Sequence, residues 1–433
     1  MVPETRLPRK PKKPSRNGAC PCGMSYCLML HSGEHGASHL TPRGPAIWAS
    51  AAVALLLVWQ FLNVHYNRAG NWTALFLVGR DLPAPPELAG RTYPFPGNGY
   101  DGEFYRYVAH DPFMRRGYVR YLDVPALRYR RILIPALAYL LAIGRQSRID
   151  ASYVAVIALF VFLGAYWTGR WAALNGFSPA WGLAFLLVPA ALVSMDRMTV
   201  DVGVAALAAG CAFYSRVGDR FKFLVLLALA CLVHEAGALL AAGACLFELA
   251  HRRFPRALLW ACATLPMFAW WLWIHSQIPS RNVITPPVGL ARAAQTSLFY
   301  FLFHPQHYPL PPALEWIARS ADVLSLAGLL AAAVLACVLL PRRPLSPIAV
   351  ANALFAALIL VMPFLWRHPD VWFDVNGYGR IFSPLLVLTA MLWAAPENRM
   401  LRPWIGLLPI ACIDLRLGLQ FSDAVAGVLR GIL

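Results

Sequence analysis

The sequence predicts an all-α, polytopic membrane protein, and three observations carry that prediction. Apolar runs recur along all 433 residues; 59% of the chain is hydrophobic and 14% charged, against roughly 25% charged in soluble domains. The formal charge of +17 falls mostly in short gaps between those runs, which is the positive-inside pattern of membrane topology rather than a nucleic-acid patch. Six of the nine cysteines (Cys211, Cys231, Cys245, Cys262, Cys337, Cys412) lie inside apolar segments and read as small core residues, so no disulfide framework is expected.

Residues 1–44 are polar and basic, as expected of a disordered cytoplasmic tail. Within them Cys20, Cys22, Cys27 and His31 form a candidate zinc set. The opening CPCG resembles the start of a small zinc motif of bacterial protein tails, but the later spacing departs from it, and we read the stretch as unstructured. The first apolar run begins near Ala46, after this tail, and reads as a retained span rather than a cleaved signal.

The first span is expected at 45–65, running from inside to outside. A long outer loop then covers 66–149 and includes the apolar piece 132–144. Thirteen residues of helix reach only about 20 Å, short of a hydrocarbon core of about 30 Å, so this piece is expected to lie at the interface. With 150–168 as the second span, the basic gaps at Arg170, 215–222, 251–256, 341–344 and 397–403 all fall inside. Further spans are expected at 179–194, 199–214, 257–277, 321–340, 345–364 and 380–395. Residues 404–420, with Asp414 and Arg416, are left open, and 421–433 read as a tail. The stretch 223–250 carries His234 and Glu235 at its midpoint and basic gaps at both ends. Two half-length arms with His-Glu at the apex keep both ends inside, and a charged pair at that depth needs a polar cavity or a partner.

This topology collects the chemistry-bearing groups on the outer face. Between Tyr100 and Arg131 lie seven arginines, six tyrosines and four carboxylates. Tyr100, Asp101, Glu103, Tyr105, His110, Arg128, Tyr129 and Arg131 belong to that stretch; Asp196, His234, Glu235 and Arg380 come from later segments. A carboxylate there suits proton removal from an acceptor hydroxyl. Arginines suit a departing phosphate through paired, charge-assisted hydrogen bonds. Tyrosines suit sugar rings or the lipid boundary. No metal signature, phosphate-binding loop or dinucleotide turn is present in the sequence pattern, and no cofactor is expected.

The order of these parts resembles the GT-C superfamily of integral-membrane glycosyltransferases. GYDGEFYRYVAHDP, followed by LDVPALRYRRILIPALAYLLAIG, is similar to a group of bacterial multi-pass proteins described as cell-surface glycopolymer or mannosyltransferase-like. DRMTVDVGVAALA, CLVHEAGALL and YGRIFSPLLVL resemble that group's later blocks, so the likeness covers roughly 45–395. It implies a bundle of about 10–12 transmembrane helices with a long first extracytoplasmic loop carrying interfacial helices. It also implies a bacterial inner-membrane location with a cytoplasmic N-terminus, and inverting transfer from a polyprenyl-phosphate sugar to a cell-envelope acceptor. Asp101 matches the catalytic base, and Asp196, or less well Asp201, a second outer acid. The relatives tend to carry Arg where this chain has His234, which leaves Arg128, Arg131 and Arg380 as the phosphate ligands. A transporter or flippase of a lipid-linked sugar or an anion would use the same midplane charges. A non-catalytic envelope-assembly protein would tolerate replacement of the outer carboxylates.

Overall fold

The computed structural model describes residues 43–278, 289–342, 345–365, 370–395, 397 and 403–433. The candidate zinc set Cys20, Cys22, Cys27 and His31 lies outside the described residues. Among those described, the chain is helical throughout apart from loops and one two-stranded parallel ladder, β1 (Val78–Gly79) with β2 (Pro94–Phe95). Among the described residues five helices are long and apolar enough to cross a membrane, or up to seven spans if each bent pair counts as one.

The first is α1 (Arg43–Asn67). In the loop that follows, β1 and β2 lead to α2 (Asp101–His110), α3 (Pro125–Arg130) and α4 (Leu133–Leu141). At nine residues α4 cannot cross; it packs on α5 (Ile149–Leu174) and turns Leu140, Leu141 and Ile143 outward. A 3-10 stretch, Pro179–Leu187, and α6 (Pro189–Arg197) form one pair bent by 62°. Then come α7 (Asp201–Val217), α8 (Arg220–Val233) and α9 (Ala238–Ala250). The pair α10 (Phe254–Cys262) and α11 (Leu265–Gln277) is bent by 41°. Later helices include α12 (Pro312–Leu339), α13 (Pro347–Leu365), the short α14 (Val375–Ile381), α15 (Ser383–Trp393) and α16 (Leu408–Ile432).

The centre of the bundle is α7, whose first thirteen residues are all buried. Its sequence, DVGVAALAAGCAF, is nearly all small, which lets neighbouring helices approach closely. At Gly210 an added Cβ would lie 2.7 Å from Leu226 and 2.8 Å from Trp167. The outer surface carries the complementary pattern. Ile47, Leu55, Val58 and Phe61 of α1, Leu265 and Leu272 of α11, and Leu360 and Val361 of α13 are exposed. An apolar belt of that extent on a helical bundle is what a lipid-facing wall requires.

Residues 223–250 do not cross as one rod. α8 ends at Val233, His234 takes an extended conformation, and a single 3-10 turn leads into α9. Phe223, near the start of α8, stacks edge-on against Trp260 with centroids 5.0 Å apart. Trp260 belongs to α10, which begins four residues after α9 ends, so the start of α8 and the end of α9 share one side of the bundle. The chain therefore reverses at His234–Gly237. The reversal is tight: a Cβ on Gly237 would sit 2.1 Å from the Ala230 carbonyl oxygen.

The two ends of the bundle differ. α1 runs from Arg43 to a C-terminal turn where Asn63 donates to Asp196; α5 runs from Asp150 to Arg170, and α7 from Asp201 to Arg216. Arg43, Arg170, Arg216 and Lys222 thus lie at the end opposite Asp101, Asp150 and Asp201. α16 returns to the acidic end, where Asn67 donates to the Ala424 carbonyl at 2.9 Å. Residues 421–432 continue that helix rather than forming the tail expected from sequence, because Phe421 and Val428 still pack inward.

Candidate functional site

The acidic end is organised around Asp101. The segment before it is held down by backbone pairing: Tyr100 donates its N–H to the Leu77 carbonyl at 2.9 Å, and Arg80 donates to Phe95 at 2.8 Å. Gly99 turns the chain with φ of 68°, a conformation that favours glycine. Asp101 then opens α2, where the helix N-terminus favours a carboxylate. Gly102 sets the depth of that turn, since a Cβ there would lie 2.1 Å from the Arg197 carbonyl oxygen.

Three arginines from two distant segments converge on this turn. Arg128 of α3 donates to Asp101 Oδ1 at 2.7 Å and grips Asp123 through Nε at 2.8 Å and Nη2 at 2.6 Å. Arg380 of α14 bonds Asp101 Oδ2 through Nη2 and reaches Asp201 Oδ2 through Nη1 at 3.3 Å. Arg131, just after α3, donates to Glu235 Oε2 at 3.0 Å and to the Tyr105 hydroxyl at 2.9 Å. His234 closes the circuit: its Nε2 lies 3.8 Å from Asp201 Oδ1 and its Nδ1 3.3 Å from Glu235 Oε2. With Arg128 also 3.5 Å from the Tyr105 hydroxyl, the contacts close a polar ring running from Asp101 through Arg128, Tyr105, Arg131, Glu235, His234, Asp201 and Arg380 back to Asp101.

Burial raises the cost of leaving any member unpaired. Burial alone would push the Asp101 carboxyl up, but Arg380 and Arg128 outweigh it and hold the carboxyl well below the usual carboxylate range. Four buried atoms of this ring have no hydrogen-bond partner in the protein: Asp201 Oδ1, His234 Nε2, Glu235 Oε1 and Arg380 Nε. The ring thus holds both acceptor and donor capacity for a bound group. Tyr100 flanks it. The Arg380 and Arg197 guanidinium carbons lie 5.1 and 4.7 Å from its ring centroid, and its hydroxyl donates to Asp374 at 3.3 Å.

An apolar groove of about 490 Å³ is lined by sequence neighbours of the ring residues, with no ring residue in its walls. Ile132 and Leu133 line it directly after Arg131 in sequence, and Leu232 lines it two residues before His234. Ala136 and Leu140 of α4 and Trp270 of α11 also line it. Volume and lining both suit a hydrocarbon chain.

The structure brings together Asp101, Tyr100, Tyr105, Arg128, Arg131, His234, Glu235 and Arg380 from the residues singled out in the sequence. Four others stand elsewhere. Asp196 accepts from Asn63 at 3.1 Å and lies 3.7 Å from Arg197, on the α1 side of the bend, while Asp201 occupies the ring. Glu103 is fully buried and accepts from Gly79 N–H and the Tyr107 hydroxyl, both at 2.8 Å. His110 packs with Gln146 and with Asp150, which Arg106 holds from two sides at 2.8 Å. Tyr129 donates to the Asp111 carbonyl at 2.8 Å, and Trp270 donates to the Tyr129 carbonyl at 2.8 Å, both holding the loop together.

Sequence reading missed a second polar group, which joins α12 to α16. Arg416 of α16 bonds Asp322 of α12 at 2.5 Å and the Tyr308 hydroxyl at 3.0 Å, and Tyr308 donates to Asp322 at 2.7 Å. Asp322 and Arg416, charges set within the largely apolar runs of α12 and α16, were the available signal. Among the described residues no group of three or more metal-ligating side chains comes together.

No family model, no curated protein and no solved structure matches the chain.

Proposed function

We propose that this chain is an inverting glycosyltransferase of the GT-C kind, moving a sugar from a polyprenyl-phosphate donor to a cell-envelope acceptor. The reading includes a GT-C bundle of about 10–12 transmembrane passages, a bacterial inner membrane and a cytoplasmic N-terminus. The basic end of the bundle supports that orientation, because positive gaps stay on the cytoplasmic side.

One observation carries the proposal: a carboxylate and three guanidinium groups gather at the acidic end of a lipid-facing bundle, and the residues next to Arg131 and near His234 in sequence line an apolar groove. Each part answers one demand of the reaction. The groove takes the isoprenoid tail. Arg128, Arg131 and Arg380 bind the phosphate, where fork-shaped donors match paired oxygens. Asp101 takes the proton from an acceptor hydroxyl as its oxygen attacks the anomeric carbon. The bond from that carbon to the phosphate oxygen breaks on the opposite face, its electron pair leaves with the phosphate, and the configuration inverts. Tyr100 and Glu235 flank the position the sugar would take.

The test is turnover by the purified protein in lipid, supplied in turn with polyprenyl-phosphate mannose, glucose and arabinose. Release of polyprenyl phosphate with one of them is the expected result. No turnover with any donor and any envelope acceptor fraction would remove the enzyme reading.

A further inference from the structure

Both oxygens of Asp101 are occupied. Arg128 bonds Oδ1 and Arg380 bonds Oδ2, so both oxygens of the proposed base are held by a guanidinium, which weakens the carboxylate as a proton acceptor. Each of these arginines also has a second carboxylate in reserve. Arg128 is anchored bidentately on Asp123, whose side chain faces solvent more than any other in the group, and Arg380 reaches Asp201. A guanidinium released from Asp101 therefore keeps its position and part of its compensation. Its remaining donors stay aimed at the ring, where Arg380 Nε already has no partner in the protein.

We propose that Arg128 and Arg380 keep Asp101 closed off until a phosphoryl oxyanion draws them from its carboxylate, so that the anionic donor itself opens the base. This deepens the reading of the site as a lipid-phosphate transferase and rests on it. The charge balance of the reaction favours the exchange. Before transfer Asp101 carries one negative charge and the donor phosphodiester another. Afterwards Asp101 holds the proton from the acceptor hydroxyl and is neutral, while the departing phosphomonoester carries both charges. Two guanidinium groups that start on Asp101 are needed on the phosphate at the end, and sharing them lets the charge move without being left unpaired in a buried site. An acceptor or a water arriving alone meets a carboxylate whose basicity two guanidinium groups hold down.

The competition makes a prediction opposite in sign to that of a merely structural ion pair. If Asp101 competes with phosphate for Arg128 and Arg380, removing its charge frees them. The full chain in lipid nanodiscs is titrated with farnesyl phosphate, with farnesol and with inorganic phosphate, by calorimetry. Asp101→Asn is expected to bind farnesyl phosphate at least about tenfold tighter than the unaltered protein, with farnesol unchanged. Inorganic phosphate shows the same ratio at weaker affinity if the headgroup alone is read; a gain confined to farnesyl phosphate assigns the site to the lipid-borne anion. Adding Arg380→Gln to Asp101→Asn removes the gain. Asp101→Ser, which also suits a helix start, serves if the asparagine variant does not fold. Equal or weaker binding of farnesyl phosphate by the Asp101 variants, or none by any form, overturns the proposal. Tighter binding without sugar transfer from any donor leaves the competition standing and removes the glycosyltransferase reading instead.

Discussion

Arg131 and Glu235 lie 104 positions apart and meet at 3.0 Å between Nε and Oε2. That contact joins the end of the loop helix α3 to the apex of the reversed pair α8–α9, and both side chains are mostly shielded from water. A pair in this setting holds geometry more than it adds stability, because desolvation offsets much of the attraction. Removing one partner is the costly change. A double-mutant cycle with Arg131→Gln and Glu235→Gln, measured by denaturation in detergent, is expected to give a coupling of about 1–3 kcal/mol. A coupling near zero would mean the loop and the apex are held together by something else.

Asp101→Asn is expected to lower sugar transfer by at least about 100-fold, the usual scale for losing a general base. It is expected to cost about 1–3 kcal/mol of stability, less than a fully buried pair loses, since Arg128 and Arg380 each keep another carboxylate. The pH dependence has a definite sign. The Asp101 carboxyl is held below its unfolded value near 3.9, so on acidification the unfolded chain takes up the proton first. Its contribution is fully present above about pH 5 and is lost as pH falls toward the folded value. The melting-temperature gap between the unaltered protein and Asp101→Asn should stay constant from pH 8 to 5 and narrow below about pH 4. Narrowing already between pH 7 and 5 would contradict the double pairing.

Glu103 behaves in the opposite way despite standing two residues along. Burial is the largest influence on its carboxyl and pushes it up, and the Gly79 N–H and Tyr107 hydroxyl only partly oppose this. A raised folded value means the folded chain holds the proton longer, so stability tied to Glu103 declines as pH rises through that range. Glu103→Gln removes the buried charge at similar shape and is expected to match or raise the melting temperature at pH 7, with transfer retained. A large loss of transfer at unchanged stability would return Glu103 to the substrate.

The sequence made the charged members of the ring visible because charge is scarce in this chain. Arg128, Arg131, His234, Glu235 and Arg380 interrupt or border apolar runs, and a charge in such a place needs a partner. The reversal at His234 was legible too, since basic gaps flank both arms. What periodicity could not settle was rotation. Asp196 and Asp201 are five residues apart, and their facing depends on the 62° bend before α6 and on the Met198 residue in left-handed conformation between them. Asp201 at a helix start reads as an ordinary cap in sequence, yet its carboxylate is the one beside Arg380 and His234. Glu103, His110 and Tyr129 could not be separated from the site by spacing, because their partners Gly79, Asp150 and Asp111 are fixed only by the folded loop. The chain from Tyr308 to Arg416 was hidden for the same reason: Arg416 and Asp322 are 94 residues apart.

The reversal at residues 234–237 makes a prediction about sidedness that needs no substrate. If α8 and α9 enter and leave on the same side, residues just before α8 and just after α9 face the same compartment. A single crossing would put them on opposite sides. Arg220 and Arg253 are both exposed at the basic end, and Arg91 is exposed in the loop at the acidic end. In a cysteine-free background, Arg220→Cys and Arg253→Cys should react with a membrane-impermeant maleimide only when the cytoplasmic side is open, and Arg91→Cys only from outside. Labelling of positions 220 and 253 from opposite sides would break the reversal. It would also break the ring, because Glu235 reaches Arg131 only if the apex faces the loop that carries Asp101.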